Sequence, residues 1–191
     1  MINRVIVACL ASGLLAAAAQ AQPTSGATSN VAHRKNSVNA DVGLAVIGVA
    51  YQRVLHPRVE LQLQAQFFSP WFVTAGVGGL GVQVRPYFFL SGSAPAGVYI
   101  SPFVRAAYVR GRIGDVEGGG PALSVGAAFG QSFVFARRVI VRGGLGLQYL
   151  RFEVASESSH AQIQTLYPTV DLSFGIAFTR VCRKSSRPGR K

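Results

Sequence analysis

The sequence predicts an all-β chain that folds as an antiparallel up-and-down β-barrel of about eight strands. The first observation is the stretch 166–179, where apolar residues such as Phe174 and Ile176 alternate with small or polar ones such as Asp171 and Ser173. Because successive side chains of a strand point to opposite faces, this stretch has one apolar and one polar face. The second observation is that six stretches upstream alternate in much the same way. Such segments, separated by turn residues, are typical of barrels that span membranes.

Composition supports a single folded domain with an unusual surface. Of the 191 residues, 49% are hydrophobic and 14% are charged, whereas about 25% charged is usual for a soluble domain. The net charge of +12 lies mainly in the termini, because residues 36–179 hold ten Arg, no Lys and seven acidic residues, which leaves +3. This distribution argues against nucleic acid as a partner of the folded part.

The N-terminal residues 1–21 are predicted to be a secretory signal peptide. Arg4 precedes an apolar run that is too short for a transmembrane helix, and cleavage is expected near Ala21, after Ala19-Gln20-Ala21. Residues 22–36 are expected to form a flexible leader, 37–179 the barrel and 180–191 a basic C-terminal tail. Removal of Cys9 with the signal peptide leaves Cys182 without an intramolecular disulfide partner.

Seven strands are predicted directly from alternation, and they differ in regularity. They cover 41–54, 59–68, 76–89, 98–109, 123–133, 139–152 and 166–179. The first is the least regular, with both faces apolar around Ile47-Gly48. The second alternates cleanly, since Leu61 and Leu63 oppose Gln62 and Gln64. In the other five, apolar residues oppose Gly, Ser, Gln, Arg or Tyr.

An eighth strand is expected before Asp41, within 31–40, because bacterial single-chain membrane barrels have an even number of strands. Connections around 56–57, 91–96 and 136–137 are predicted to be short turns. Those around 69–75, 110–121 and 153–164 are predicted to be longer loops. Short periplasmic turns and long extracellular loops would place the end of the last strand, and the basic tail, in the periplasm.

The positions of the glycines favour a membrane barrel over a soluble one. A soluble carrier would bury the apolar faces, whereas a membrane barrel turns them toward lipid. Residues such as Gly79, Gly126 and Gly144 lie on the polar face, where they make room for long side chains in a narrow lumen. Aromatic residues near strand ends, including Trp71 and Tyr149, fit the interfacial girdles of an outer-membrane barrel.

Five charged residues are expected to form a network inside the lumen. They are Glu60, Arg85, Arg105, Arg142 and Asp171. Because buried charges must be paired, we expect Arg–carboxylate contacts with Glu60 and Asp171 as acceptors. A lumen filled in this way is a plug rather than a channel. No catalytic residue, metal site or cofactor is expected.

The alternating strands together resemble the small outer-membrane β-barrel proteins, such as the OmpA-type transmembrane domain and opacity-type surface proteins. The resemblance covers residues 41–179 and the signal peptide, and the alternating Phe174, Ile176 and Phe178 resemble the C-terminal assembly signal of that group. It departs from the pattern because residues 179–191 follow the final aromatic. It implies a monomeric outer-membrane protein of structural or surface-interaction type, with outer-membrane lipids as partners.

Two other functions stay open at this point. Ser158-Ser159-His160, with Glu153 and Glu157 nearby, would suit a lipid A-modifying enzyme, an activity found among barrels that this chain resembles. A soluble periplasmic carrier of an apolar ligand is the other alternative. The basic tail is a candidate contact for anionic lipid or cell-wall polymer.

Overall fold

The computed structural model describes residues 35–71, 73, 76–114, 116–155 and 160–178, and these form a closed barrel of eight antiparallel β-strands. The strands are β1 (Asn36–Gly43), β2 (Val46–His56), β3 (Val59–Phe68), β4 (Val77–Phe89), β5 (Gly97–Ile113), β6 (Val116–Phe135), β7 (Val139–Ala155) and β8 (His160–Phe178). Each pairs with the next, and β8 pairs with β1. The predicted fold class is confirmed. Within the described ranges, no helix is long and apolar enough to cross a bilayer.

The register of the strands sets the width of the barrel. Residues that pair from strand to strand form a row that starts at Val38 on β1 and reaches β8 at Leu166. Val38 itself pairs with Ile176 on β8, so one circuit of the barrel shifts the register by ten residues. With strands about 4.8 Å apart, this offset tilts them by about 40° to the barrel axis. A barrel of eight strands has an interior just wide enough for side chains to fill.

Apolar side chains cover the outside of the barrel. The row that starts at Val38 consists of Val38, Tyr51, Leu63, Val84, Val104, Val125, Tyr149 and Leu166, and all are exposed. Leu80 is 73% exposed and Ile176 is 62% exposed. Glutamine, arginine and serine side chains instead fill the interior. The faces are therefore arranged as in a membrane barrel, the reverse of a soluble one.

The prediction of a single first strand at 41–54 is wrong. The chain turns at Leu44 and Ala45, so Asp41 belongs to β1, and β1 extends three residues beyond the segment where the eighth strand was expected. Outward residues have even numbers in β1, such as Val42, and odd numbers in β2, such as Ile47. Because the outward residues switch from even to odd numbers within 41–54, apolar residues fall on both faces when this segment is treated as one strand.

The predicted long loops at 110–121 and 153–164 are also wrong, because most of their residues continue the strands. β5 to β8 contain 17, 20, 17 and 19 residues, whereas β1 to β4 contain 8, 11, 10 and 13. The polar outward residues Arg112 and Glu117 pair across β5 and β6 at 2.6 Å. Their polarity therefore marks exposure to water rather than loss of strand structure.

The two ends of the barrel differ. The lower end carries the connections at 57–58, 90–96 and 136–138, together with Asn36 and Phe178, where the described chain enters and leaves the barrel. The upper end carries the other four connections and the extensions of β5 to β8. The predicted signal peptide, leader residues 22–34, the tail 180–191 and both cysteines lie outside the described residues.

Candidate functional site: the barrel lumen

All five charged residues predicted for the lumen lie inside it. Each side chain is almost fully buried, since none of the five residues exceeds 6% exposure. The structure adds Asp41 from β1, which is 2% exposed. Asp41 escaped prediction because the turn at Leu44 was not recognised. Continuing the alternation of Ser37 and Asn39 through Asp41 would have placed it inside. Among the described residues, the lumen thus contains three arginines and three acidic residues.

The first ion pair joins opposite walls of the barrel. Arg142 of β7 places its Nη2 atom 2.6 Å from Oε2 of Glu60 on β3. The same guanidinium donates from Nη1 to Oε1 of Gln52 at 2.7 Å and from Nε to Oγ of Ser132 at 3.1 Å. It also lies 4.5 Å from the ring centroid of Tyr87. Hydrogen bonds and an aromatic face therefore replace the water that Arg142 loses on burial.

The second ion pair also crosses the diameter of the barrel. Arg85 of β4 places Nη1 2.6 Å from Oδ2 of Asp171 on β8, four strands away. Its Nε atom donates to Oγ of Ser101 at 3.1 Å. The rings of Tyr87 and Phe103 each lie 5.2 Å from the guanidinium carbon. The two ion pairs therefore connect opposite strands of the barrel at two sites in the lumen.

Gln62 links the ion pairs to the remaining carboxylate. Its amide nitrogen donates to Oδ2 of Asp41 and, at 3.1 Å, to Oε1 of Gln64. Its amide oxygen accepts from Nε2 of Gln52 at 2.9 Å and from the hydroxyl of Tyr87 at 2.6 Å. Both amide hydrogens and both oxygen lone pairs of Gln62 have partners. Asp41 is therefore bound by an amide rather than by a guanidinium.

Arg105 departs from the expected pattern of Arg–carboxylate contacts. Its Nε and Nη2 atoms donate to Oε1 of Gln83 at 3.1 and 2.7 Å, and Nη1 donates to Oε1 of Gln148 at 3.1 Å. In the described part of the chain, no carboxylate lies within ion-pair distance of it. Phe103 and Phe68 flank the guanidinium carbon at 5.3 and 5.5 Å. The two expected acceptors, Glu60 and Asp171, bind Arg142 and Arg85, and Arg105 binds glutamines instead.

Apolar side chains close the lumen above and below the charges. Near the upper end, a buried cluster contains Ala45, Phe68, Val77, Val109, Ala122, Leu150, Phe152, Val154 and Tyr167. Near the lower end, Tyr87 and Tyr99 stack edge to face, with ring centroids 5.0 Å apart, beside Phe89 and Ala94. The connection 90–96 folds under the barrel, where the hydroxyl of Ser132 donates to the carbonyl of Pro95. Side chains therefore fill the lumen at three levels: an apolar cluster near the upper end, the charged residues in the middle and an aromatic cluster near the lower end.

Glycines on the inner face make space for the aromatic rings. A methyl group added at Gly130 would lie 2.6 Å from the hydroxyl of Tyr99, and one added at Gly126 would lie 2.7 Å from Cζ of Phe103. Gly144 also borders the Tyr99 hydroxyl, at 2.9 Å. These distances support the prediction that lumenal glycines accommodate larger neighbours.

The charged groups of the lumen are buried in the part of the chain that the structure describes. The buried carboxylates bind guanidinium or amide donors, and none of them is more than 6% exposed. Within the ranges described, no group of three or more His, Cys, Asp or Glu residues could hold a metal ion. His160 begins β8, while Ser158, Ser159 and Glu157 lie outside the described residues.

Comparison with known proteins supports the fold. No protein-family model and no curated protein matches the sequence. The structure is similar to the crystal structure of the N-terminal β-barrel domain of Pseudomonas aeruginosa OprF, with a TM-score of 0.52 and 14% sequence identity. The match covers 76% of this chain and 98% of that domain. The predicted resemblance to OmpA-type barrels is thus confirmed for the fold.

Proposed function

We propose that this chain is a monomeric outer-membrane barrel of structural or surface-interaction type, with no catalytic activity and no conducting pore. The observation that carries the proposal is the arrangement of faces on all eight strands. Apolar side chains point outward, and paired charges fill the lumen. In water, the outward residues would be unfavourably solvated, whereas in lipid they match the hydrocarbon band of a bilayer.

The soluble-carrier alternative requires the opposite arrangement. A carrier of an apolar ligand needs an empty, apolar interior. Here the middle of the lumen holds arginines and glutamines that bind one another. These polar side chains do not form the apolar site that the ligand of such a carrier needs.

The upper end supports the surface-interaction part of the proposal. At about 2.5 Å of height per tilted residue, ten residues span the hydrocarbon band, so β5 to β8 extend well beyond it. Their extensions carry the exposed ion pairs Arg112–Glu117 and Arg151–Glu153. The extensions of β5 to β8 therefore present charged, paired strands to other molecules outside the lipid.

Gel mobility tests the membrane barrel directly. We expect the protein in the outer-membrane fraction, with different mobility in SDS before and after boiling, because a closed barrel resists SDS when cold. N-terminal sequencing of the same band should start near Gln22. Recovery in the soluble fraction without detergent, and no change of mobility on boiling, would overturn the proposal.

Two assays address the functional alternatives. Planar bilayers containing the folded protein should show no steady conductance, since side chains fill the lumen. For the enzyme alternative, lipid A from cells with and without the protein should have the same mass. A mass change that is lost in a His160→Ala variant would establish a lipid-modifying enzyme instead.

A further inference from the structure

Five exposed cations among the described residues lie at the lower end of the barrel. Lys35 precedes β1, Arg53 faces outward near the end of β2, Arg58 lies in the next turn, and Arg137 and Arg138 form the β6–β7 turn. We call this set the basic arc.

Backbone hydrogen bonds show that the arc is continuous along one side of the rim. The carbonyl of Arg138 accepts from the amide of Ala177 on β8 at 2.7 Å. β8 pairs with β1, and the carbonyl of Lys35 accepts from the amide of Val54 on β2 at 2.8 Å. The arc therefore follows β7, β8, β1, β2 and the turn to β3. The opposite side of the rim, formed by the connection 90–96, has no charged residue.

No exposed acidic residue balances the arc among the residues described. Glu60, the carboxylate closest to this end along the strands, is buried against Arg142. The exposed carboxylates, Glu117 and Glu153, lie at the upper end beside Arg112 and Arg151. The positive potential of the lower rim is therefore not neutralised from within the described chain.

The arc borders side chains that fit the edge of a bilayer. Leu55 is 59% exposed, Phe135 is 54% exposed and Val139 is 41% exposed at the same end. Tyr51, two residues above Arg53, is exposed and donates its hydroxyl to Oδ1 of Asn36 at 2.7 Å. Apolar residues, an interfacial tyrosine and cations thus occupy neighbouring positions at this end, as they do where hydrocarbon meets headgroups.

We propose that the basic arc binds the phosphates of anionic phospholipids in the membrane leaflet at the lower end. This inference rests on the proposed function, since it requires the barrel to lie in a bilayer. A soluble anionic polymer shares the phosphate chemistry. The exposed apolar residues beside the cations favour lipid, because a polymer in water would gain nothing from them.

Electron paramagnetic resonance of spin-labelled lipids tests the proposal. The full-length protein is folded into phosphatidylcholine membranes containing a trace of spin-labelled phosphatidylglycerol or phosphatidylcholine. We expect the wild type to associate with the anionic lipid about threefold or more in preference to the zwitterionic one. The preference should fall close to unity in an Arg53→Gln/Arg137→Gln/Arg138→Gln variant, and decrease in 1 M NaCl.

Two further variants make the result interpretable. Arg110→Gln/Arg112→Gln/Arg151→Gln removes the same charge from the upper end and should keep the preference for anionic lipid. Lys35→Gln/Arg58→Gln changes only residues outside strands and should lower the preference without affecting folding. All three variants retain the basic tail, so a preference that is unchanged in both lower-end variants would belong to the tail and overturn the proposal.

The remaining outcomes separate this inference from the proposed function. Failure of the wild type to insert into phosphatidylcholine membranes would overturn the membrane barrel itself. Insertion without any preference for phosphatidylglycerol would overturn only the lipid site. Polyphosphate binding to the micelle-folded protein, combined with no lipid preference, would assign the arc to a soluble polymer.

Discussion

Arg142 and Glu60 form an ion pair at 2.6 Å between β7 and β3, and at most 1% of either side chain is exposed. The two strands lie opposite each other in the barrel, so the contact spans the lumen rather than neighbouring strands. Arg85 and Asp171 repeat the arrangement between β4 and β8. Removing one partner of such a pair leaves a charge that water cannot reach.

Glu60→Gln is therefore expected to destabilise the barrel strongly. The variant leaves the Arg142 guanidinium without its carboxylate, at a cost of about 3–5 kcal/mol in the free energy of unfolding. Arg142→Met leaves the Glu60 carboxylate without its guanidinium and should lower the free energy of unfolding by a similar amount. The double variant should lower it by much less than the sum of the two single variants. Urea unfolding in lipid membranes measures these differences through the fluorescence of Trp71, the only tryptophan.

The exposed pair Arg112–Glu117 provides the matched control. Its atoms also lie 2.6 Å apart, but about 70% of each side chain is exposed. Glu117→Gln should change stability by less than about 1 kcal/mol, since solvent screens the pair. Equal losses for Glu117→Gln and Glu60→Gln would contradict the view that burial gives the lumenal pair its importance.

Gln148→Glu is expected to stabilise the barrel. The side-chain oxygen of Gln148 accepts hydrogen bonds at 3.1 Å from both Arg105 and Ser124. A carboxylate of the same shape would keep both bonds and give Arg105 an opposite charge, for a gain of about 1 kcal/mol. Gln148→Met removes the acceptor and should shift the urea midpoint in the other direction. A lower midpoint for Gln148→Glu would show that desolvation of the new carboxylate outweighs the pairing.

Alternation predicts the fold well wherever one face of a strand is apolar and the other is polar or small. It does less well where both faces are polar or where the phase of the alternation changes. Above the apolar band, Arg110 and Arg112 face outward, so the strand extensions lack the apolar signal that marks the rest. At Leu44 the outward face changes from even to odd residues, which hid the turn between β1 and β2.

For the lumen, the sequence predicts which charged residues lie inside but not which of them contact each other. Glu60, Arg85 and Arg142 could be placed inside because each alternates with outward apolar residues. Which of them touch depends on the offset of ten residues around the barrel, which no single strand reveals. Asp171 pairs with Arg85, 86 positions away along the chain, and Arg105 pairs with two glutamines instead of an acid.

The turn between β6 and β7 should gain stability from glycine. Ala136 and Arg137 have φ values of 48° and 60°, a left-handed conformation that costs a residue with a side chain about 1 kcal/mol. Ala136→Gly removes this cost without changing charge, so the urea midpoint should rise. Ala127→Gly, on the outer face of β6, should lower it by weakening a strand. A loss of stability for both variants would contradict the assigned turn geometry.

Two glycines near the lower end should respond in opposite ways to the same substitution. Gly130 faces the lumen, where an added methyl group would lie 2.3 Å from the carbonyl oxygen of Gly143 and 2.6 Å from the Tyr99 hydroxyl. Because the backbone must shift, Gly130→Ala should cost about 1–3 kcal/mol in the free energy of unfolding. At Gly143, the nearest atom to an added methyl would be Cδ2 of Leu172, at 3.8 Å.

Gly143→Ala should therefore raise stability by about 0.5–1 kcal/mol, since alanine loses less conformational freedom in a strand than glycine does. The pair of variants tests which way the strands face, because Gly130 pairs with Gly144, the neighbour of Gly143 on β7, and successive residues of a strand face opposite sides. Urea unfolding and the unboiled SDS gel both measure the effect. If Gly143→Ala were the destabilising change and Gly130→Ala the tolerated one, the assigned inner and outer faces of these strands would be reversed.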